Sequence, residues 1–446
     1  MKRTVTSFFD KEYLEYAKYV VENRAIPSCI DGLKPTQRKV VYIANKIWKT
    51  GNEKPMKLFQ LAGRVAAEAF YHHGNTSLES SMVGMAQKFK NSLPLLEGIG
   101  QFGSLRSPSA GAPRYISAKL HPNFRLLYQD FELLDNKIEE GERIEPEHFL
   151  PIVPTVILNG TSGIAVGFAT NILNRNPKDV VDACIAEVHG KRMKTLAPWI
   201  EEFKGTFTRD LENPKTWKIS GSYQVINTNT VKITAIPPNY TYERYEEILN
   251  LLQEKGIITS YDDNSSETIE YVLKFRRSIL KDLVSKDKLE RALRLNTQET
   301  ENLTTIDENG KLKIFNKAEE IVKHFVSIRL GWYQTRKDYL IDKTEKQLSL
   351  VTNKARFIKD IINGKLKINN VPKEKIVTYL KTNSYDTVHG SYDYLLSMAI
   401  HSLTKERYEK LLLEKEGCII ALKTLKATDP KAMYLDDLKK LKAAIK

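Results

Sequence analysis

Hydrophobic and polar positions change rhythm twice along the chain. In the first stretch, about 1–150, apolar residues recur at helical spacing between short loops. Phe8 to Val21 is amphipathic, and Asp31-Gly32 forms a turn. Pro35 then opens a helix expected to run to Lys49, because a proline costs nothing where the first-turn N–H has no partner. Gly51-Asn52 and Pro55 interrupt it, and a second helix is expected from about Lys57 to Tyr71. Helix, short break, helix is the order of a helix-turn-helix, whose second member can enter a DNA major groove. From about 151 to 312 the period shortens. TVILNGTSGIAVGFAT (155–170) is apolar and glycine-rich, and GSYQVINTNTVKITAI (221–236) alternates like a strand that Pro237-Pro238 ends. Tyr242 to Glu254 reads as a helix, and ETIEYVLKFRR (267–277) as another strand. From 313 to 446 the helical period returns. Asn316 is expected to cap a helix with Glu319 completing a capping box. Ile321, Phe325, Ile328 and Trp332, then Leu348, Val351, Ala355, Ile358 and Ile362, form a heptad-like seam. A return helix from about Lys405, with Leu411, Leu412, Leu422 and Leu425, would complete an antiparallel pair. The apolar run in HGSYDYLLSMAIHSLT (389–404), between the two arms, suits either local packing or a dimer contact. The expectation is therefore an α+β multidomain chain with segments 1–150, 151–312 and 313–446.

Charge sharpens this picture. The net charge is +14, and residues 1–120 hold 18 Lys and Arg against 9 Asp and Glu. A polyanionic partner, nucleic acid before an acidic membrane surface, follows from that clustering. Cys29, Cys184 and Cys418 lie far apart without metal-ligand spacing, so reduced thiols and a cytoplasmic setting are expected. No stretch is long and apolar enough to cross a membrane, and the N-terminus lacks the apolar run of a signal peptide.

The basic segment also carries the candidate chemistry. Tyr115 follows Arg114 in GAPRYISAKL (111–120). A phenol titrates near 10 in isolation and is a poor nucleophile until its anion is stabilised. A guanidinium beside it can do that, hold a phosphate bidentately and stabilise charge in the transition state. Most of the 21 tyrosines must be structural, so it is the context that singles this one out. Arg24, Lys34, Arg38 and Lys39 form the basic part of the first helical pair and are read as phosphate contacts, against a solvated helix face. His72-His73 lacks the further ligands of a metal site; bonding to a phosphate or to the tyrosine competes with a buried structural role. Gly98 to Gly103 matches G-x-G-x-x-G, but no helix can open in the SLRSPSAGAP that follows, so the glycines are expected to let a loop turn tightly near Tyr115. There is no Walker A sequence and no acidic cluster for magnesium; Asp262-Asp263 and Asp436-Asp437 read as solvated.

RAIPSCIDGLKPTQRKVVY, YHHGN, LLEGIGQFGS, PRYISAKL and LPIVPTVILNGTSGIAVGFATNI occur in this order, and the likeness continues through ITAIPP to DYLLSMAIHSLT. This ordered set resembles the DNA breakage-reunion subunit of type IIA topoisomerases, the gyrase A-like proteins. The length and the YHHG form look most like the T-even bacteriophage members. Without the C-terminal wrapping domain of the bacterial gyrase A proteins, gyrase-type supercoiling is not expected.

The resemblance implies a winged-helix cleavage domain, an α/β tower and a long coiled coil ending in a C-terminal dimer gate. It implies that Tyr115 becomes joined to the 5′ end of a cut strand, with Arg114, Arg24 and His73 assisting at the phosphate. Ile164 matches the side chain that wedges between base pairs of the gate DNA, whereas its apolar, glycine-rich surroundings by themselves place it in a core. Magnesium would be held by a Toprim domain and ATP by an ATPase domain, both supplied by a partner chain of a hetero-oligomer acting on double-stranded DNA. Two other readings compete: a tyrosine recombinase-like nicking enzyme, which joins the 3′ end, and a non-enzymatic architectural DNA-binding protein in which Tyr115 is structural. Both must treat the ordered motifs as accident.

Overall fold

The computed structural model describes the backbone of residues 8–51, 53–266 and 268–445, and the side chains of these except 8–10 and 400. The chain forms two compact units, one of Met1–Arg329 with Leu435–Lys446, the other of Leu330–Tyr434.

The first unit begins with helical turns that include α1 (Leu14–Val20) and a wide, π-helical turn, Val21–Ala25. Val20, Val21, Ala25 and Ile26 are buried together, while Leu14 and Tyr16 remain exposed. The Asp31-Gly32 turn is closed by the Leu33 amide donating to the Asp31 carboxylate at 3.0 Å. Helix α2 (Pro35–Ile47) follows with its proline in the first turn, and ends two residues before Lys49, with Trp48 as C-cap. Strand β1 (Met56–Lys57) leads into α3 (Leu58–Glu68), shorter at both ends than expected.

A further helix, α4 (Asn75–Ala86), forms where the sequence pattern gives no clear signal. Leu78, Met82 and Met85 give it a buried stripe, but Ser, Thr and Gly84 make the segment a weak helix former, so packing rather than propensity decides it. Strands β2 (Leu96–Ile99) and β3 (Ser117–Leu120) complete an antiparallel sheet of order β1-β3-β2, with Lys57 opposite Ser117 and Gly98 opposite Ala118.

Farther along, Val156, Ile157 and Leu158 are buried, and the hairpin of β4 (Thr161–Ile164) and β5 (Ala169–Ile172) follows. Strands β6 (Thr206–Arg209), β7 (Thr216–Ser220), β8 (Ser222–Asn227), β9 (Thr230–Ala235), β10 (Ser260–Asp263), β11 (Tyr271–Lys274) and β12 (Asn296–Thr300) form two more antiparallel sheets, ordered β6-β7-β12 and β8-β9-β11-β10. The single strand expected over 221–236 is thus a hairpin. The Asn229 amide bonds the Asn227 side chain at 3.0 Å and turns the chain there, a competition between side chain and ladder that alternation alone does not reveal. The helix Tyr242–Glu254 has the expected ends, and Tyr245, Leu249 and Leu252 pack with Val231, Ile233, Tyr271 and Leu273 into one core. The other expected strand is confined to β11; Glu267, where the expected span begins, lies outside the described residues.

Arg175 and Glu301 form a buried bidentate pair at 2.9 and 2.7 Å, and Trp217 Nε1 donates to the same carboxylate at 2.9 Å. A 45-residue helix, Ala318–Ile362, begins in the first unit. It starts one residue later than a cap at Asn316 requires. Glu320, not Glu319, therefore accepts from the Asn316 amide, at 2.9 Å, and Glu319 instead accepts from the Leu196 amide and Arg209.

In the second unit this helix pairs with Lys405–Ala427. Lys426 meets Glu345 at 2.7 Å, while Leu411 packs with Val351, Ala355 and Ile358, so the two run antiparallel. The seam is partial, for Ile362 and Leu412 are exposed. Phe357, Leu366, Ile376, Leu380, Tyr385 and Leu395 form a separate local core, which absorbs part of the apolar run between the arms. No helix among the described residues is long and apolar enough to cross a membrane.

Candidate nucleic-acid interface

Tyr115 stands in a turn immediately before β3, the central strand of its sheet. Its side chain is 74% exposed, and the hydroxyl makes no hydrogen bond to a described residue. The backbone is nevertheless held: Tyr115 N donates to Ala112 O at 2.9 Å, and Lys57 Nζ donates to Tyr115 O at 2.8 Å. The Arg114 guanidinium lies 5.8 Å from the centre of the Tyr115 ring and is itself exposed. A fixed backbone, a free hydroxyl and an adjacent cation suit attack on a phosphate that arrives from outside.

The loop from β2 to Tyr115 turns as the glycines suggest. Gly103 has φ +80°, and a Cβ there would stand 2.8 Å from the Pro108 carbonyl. Gln87 Nε2 donates to the carbonyls of Phe102 at 2.8 Å and Pro108 at 3.0 Å.

A second group of candidates meets at the β4–β5 hairpin. Lys34, the N-cap of α2, donates from Nζ to Ser162 O at 2.6 Å. Burial pushes its ammonium below the usual lysine range. Beside it Gly163 backs onto the Ala25 carbonyl so closely that a Cβ would lie 2.2 Å from that oxygen. Arg24, the neighbour of Ala25, is exposed and pairs with no described residue. Ile164 is 87% exposed and ends β4, with half-exposed Phe168 close by in the hairpin. This corrects the placement of Ile164 in a core: the hairpin's buried contacts fall on its other residues, leaving this side chain in solvent.

The histidines go elsewhere. His73 Nε2 is 2.6 Å from the Tyr19 hydroxyl, and its ring packs edge-on to Tyr71. Neither contact involves Tyr115. His72 is exposed, 3.7 Å from Glu139, which also lies 3.6 Å from Lys39.

Two of the basic residues turn inward, which corrects their reading as phosphate contacts. Arg38 is 5% exposed and gives Nε and Nη2 to Asp31 at 2.6 and 3.0 Å. Asp31 is fully buried and also accepts from the Phe149 amide at 3.1 Å. Lys39 donates to the Ala69 carbonyl and lies 3.2 Å from Glu145. A charge this far inside must be paired, and the fold pairs both with carboxylates.

Sequence reasoning passed over Lys57, Gln87 and Arg106, which hold the tyrosine's loop, and Tyr19, which holds His73. Each is a common residue outside any spacing pattern, so only its contacts distinguish it. One group of three possible metal ligands lies together among the described residues, Cys29, Glu308 and His324, with their donor atoms within 4.8 Å of one another. A thiol and an imidazole do not suit magnesium, which takes oxygen ligands, and the Lys313 ammonium already sits 3.1 Å from the His324 ring.

The family model for the gyrase A-type chain of DNA gyrase and topoisomerase IV matches residues 24–441. The DNA topoisomerase medium subunit of Enterobacteria phage T4 is 35% identical, and the match covers 99% of each chain. DNA topoisomerase 2 of Arabidopsis thaliana is 33% identical over 99% of this chain, which spans only 33% of that protein's length. A crystal structure of the Plasmodium falciparum topoisomerase II DNA-binding, cleavage and re-ligation domain superposes with a TM-score of 0.86, at 33% identity, over 98% of this chain and 64% of that one. The ordered motifs, the exposed tyrosine beside its arginine and the full-length agreement lead to one conclusion: this chain belongs to the gyrase A-type family of DNA gyrase and topoisomerase IV.

Proposed function

We propose that this chain is the DNA cleavage-religation subunit of an ATP-dependent type II topoisomerase. The observation that carries this reading is the Tyr115 hydroxyl, exposed and unbonded on a backbone held from both sides, with Arg114 against its ring. The tyrosine oxygen gives up its proton and forms a bond to the phosphorus, the bond from phosphorus to the 3′ oxygen breaks, and that oxygen takes up a proton. One ester replaces another, so the reverse attack reseals the strand without outside energy. Arg114, Arg24 and His73 act at the phosphate, Lys34 and His72 border the DNA, and Ile164 wedges between base pairs at a cost of a few kcal/mol of stacking, offset by wrapped contacts. Arg38 and Lys39 support the DNA face from within.

In this reading the helices α2 to α4 with the sheet β1-β3-β2 form a winged helix within segment 1–150. Segment 151–312 is the tower, and segment 313–446 is a coiled coil ending in a gate through which two copies dimerise. In this reading a partner chain with Toprim and ATPase domains holds both magnesium and ATP. The relatives' names support the enzyme class, and the phage relative supports a phage-type assembly working in host cytoplasm.

The test mixes the chain, its partner and end-labelled duplex, then stops the reaction with detergent. The 5′ end should remain on the protein, and Tyr115→Phe should leave none. Protein on the 3′ end would instead fit a recombinase-like enzyme, and cleavage by the phenylalanine variant would remove Tyr115 from the chemistry.

A further inference from the structure

Arg106 lies midway along the loop between β2 and β3 that carries Tyr115. Its side chain is buried, 6% exposed, yet no carboxylate among the described residues pairs with it. Nη1 donates to Pro237 O at 2.7 Å and Tyr240 O at 2.9 Å, and Nη2 to Ile236 O at 2.6 Å. The Tyr242 amide returns a bond to the Arg106 carbonyl at 3.1 Å. Glu202 accepts from the neighbouring Leu105 amide at 3.4 Å, and its charge acts on Arg106 without an ion pair. Burial draws the guanidinium down to about 10, so it stays a cation at neutral pH.

The three acceptors lie just past β9, where Pro237 and Pro238 lack N–H groups and end the strand. Carbonyls there can face a cation, and that of Pro237 accepts from the Tyr240 amide at 3.2 Å as well. A guanidinium suits three acceptors spread in this way, because its donors diverge in a fixed plane. On the loop's other side Gln87 grips Phe102 and Pro108, the residues that bracket Arg106.

We propose that Arg106 is a positioning residue for strand cleavage, which clamps the loop of Tyr115 to the proline turn after β9 and so sets where the hydroxyl stands. This rests on Tyr115 being the nucleophile. A misplacement of about 1 Å can slow a reaction about 100-fold while leaving binding intact.

The experiment compares Arg106→Ala and Arg106→Lys with the parent. It measures DNA affinity and the single-turnover rate of covalent-link formation in the complex with the partner chain, and amide exchange of residues 100–116 in the chain alone. The alanine variant should bind DNA with unchanged affinity and form the link about 100-fold more slowly. Its loop amides should exchange faster while those of β8 to β11 do not. Lysine, which keeps the charge and reaches a carbonyl, should restore much of the rate. A parental rate or parental loop exchange in the alanine variant would overturn the proposal. So would a loss of protection spread through the whole unit, or a lysine variant as slow as alanine. If alanine does not fold, the lysine variant must still show an intermediate rate and exchange confined to the loop, or the proposal fails. If the parent forms no covalent link, the reading of Tyr115 falls, while the exchange measurement alone decides whether Arg106 holds the loop.

Discussion

The ammonium of Lys34 donates to the carbonyl of Ser162 at 2.6 Å, joining the N-cap of α2 to the hairpin whose first strand ends in Ile164. Together with the contact of Gly163 on the Ala25 carbonyl, it seats an exposed apolar side chain on a backbone held at two points. A wedge needs such a seat, since a mobile side chain would yield before the bases unstack.

Ile164→Ala should change unfolding free energy by less than about 0.5 kcal/mol, because the residue is exposed. It should reduce bending of bound duplex. Fluorescence transfer between dyes flanking the site measures the bend; a parental value would remove Ile164 from that role.

Gly163→Ala should do the opposite. With the Ala25 oxygen 2.2 Å from the new carbon, the hairpin must shift, at a cost of about 1–3 kcal/mol. Urea unfolding reads this cost, and an unchanged midpoint would mean that the close approach is not kept in solution.

Arg38 and Arg24 should separate cleanly. Arg38→Ala strands the buried Asp31 carboxylate and should cost about 3–5 kcal/mol. Arg24→Ala should leave stability unchanged and weaken DNA binding, lowering the salt slope by about 1. Chemical denaturation and binding across a salt series test both; matching losses of stability would contradict the division.

The thiols give a pH test. Burial pushes Cys29 up to about 12 from an ordinary 9.0, and its nearest carboxylates add to the rise. The folded state therefore holds this proton longer than the unfolded one. The resulting stability is complete below about pH 9 and is lost as pH rises toward 12. Cys29→Ala should flatten the alkaline limb of stability against pH. At pH 8 a thiol reagent should label Cys418 in the folded protein, and Cys29 and Cys184 only after denaturation.

With ATP and magnesium, the purified chain should bind DNA without relaxing supercoils. Relaxation by the chain alone, followed on an agarose gel, would refute the need for a partner.

Much of the local order was legible in the residues. The helix Tyr242–Glu254 and the start of α2 at Pro35 follow from periodicity and from proline's missing N–H. Other elements have no clear signal in the local pattern. The turn at Asn227 to Asn229 hides inside an alternating run, and α4 has so weak an intrinsic preference that neighbouring helices must induce it. The capping box failed by a single residue of helix start, and Glu319 found partners at Leu196 and Arg209, more than a hundred positions away.

By itself the sequence determined the rhythm of elements, the basic first segment and the ordered motifs around Tyr115, because these depend on neighbouring residues and on residue type. Only the tertiary structure decided which cations are free. Arg24 and Arg114 face solvent, Arg38 and Lys39 are turned inward by Asp31 and Glu145, and Arg106 is enclosed by carbonyls. It also decided that Ile164 stands in solvent rather than in a core. The physical reason is that a charge or an apolar side chain takes its role from whatever packs against it. Those partners lie as far off as Lys34 from Ser162, 128 positions along the chain.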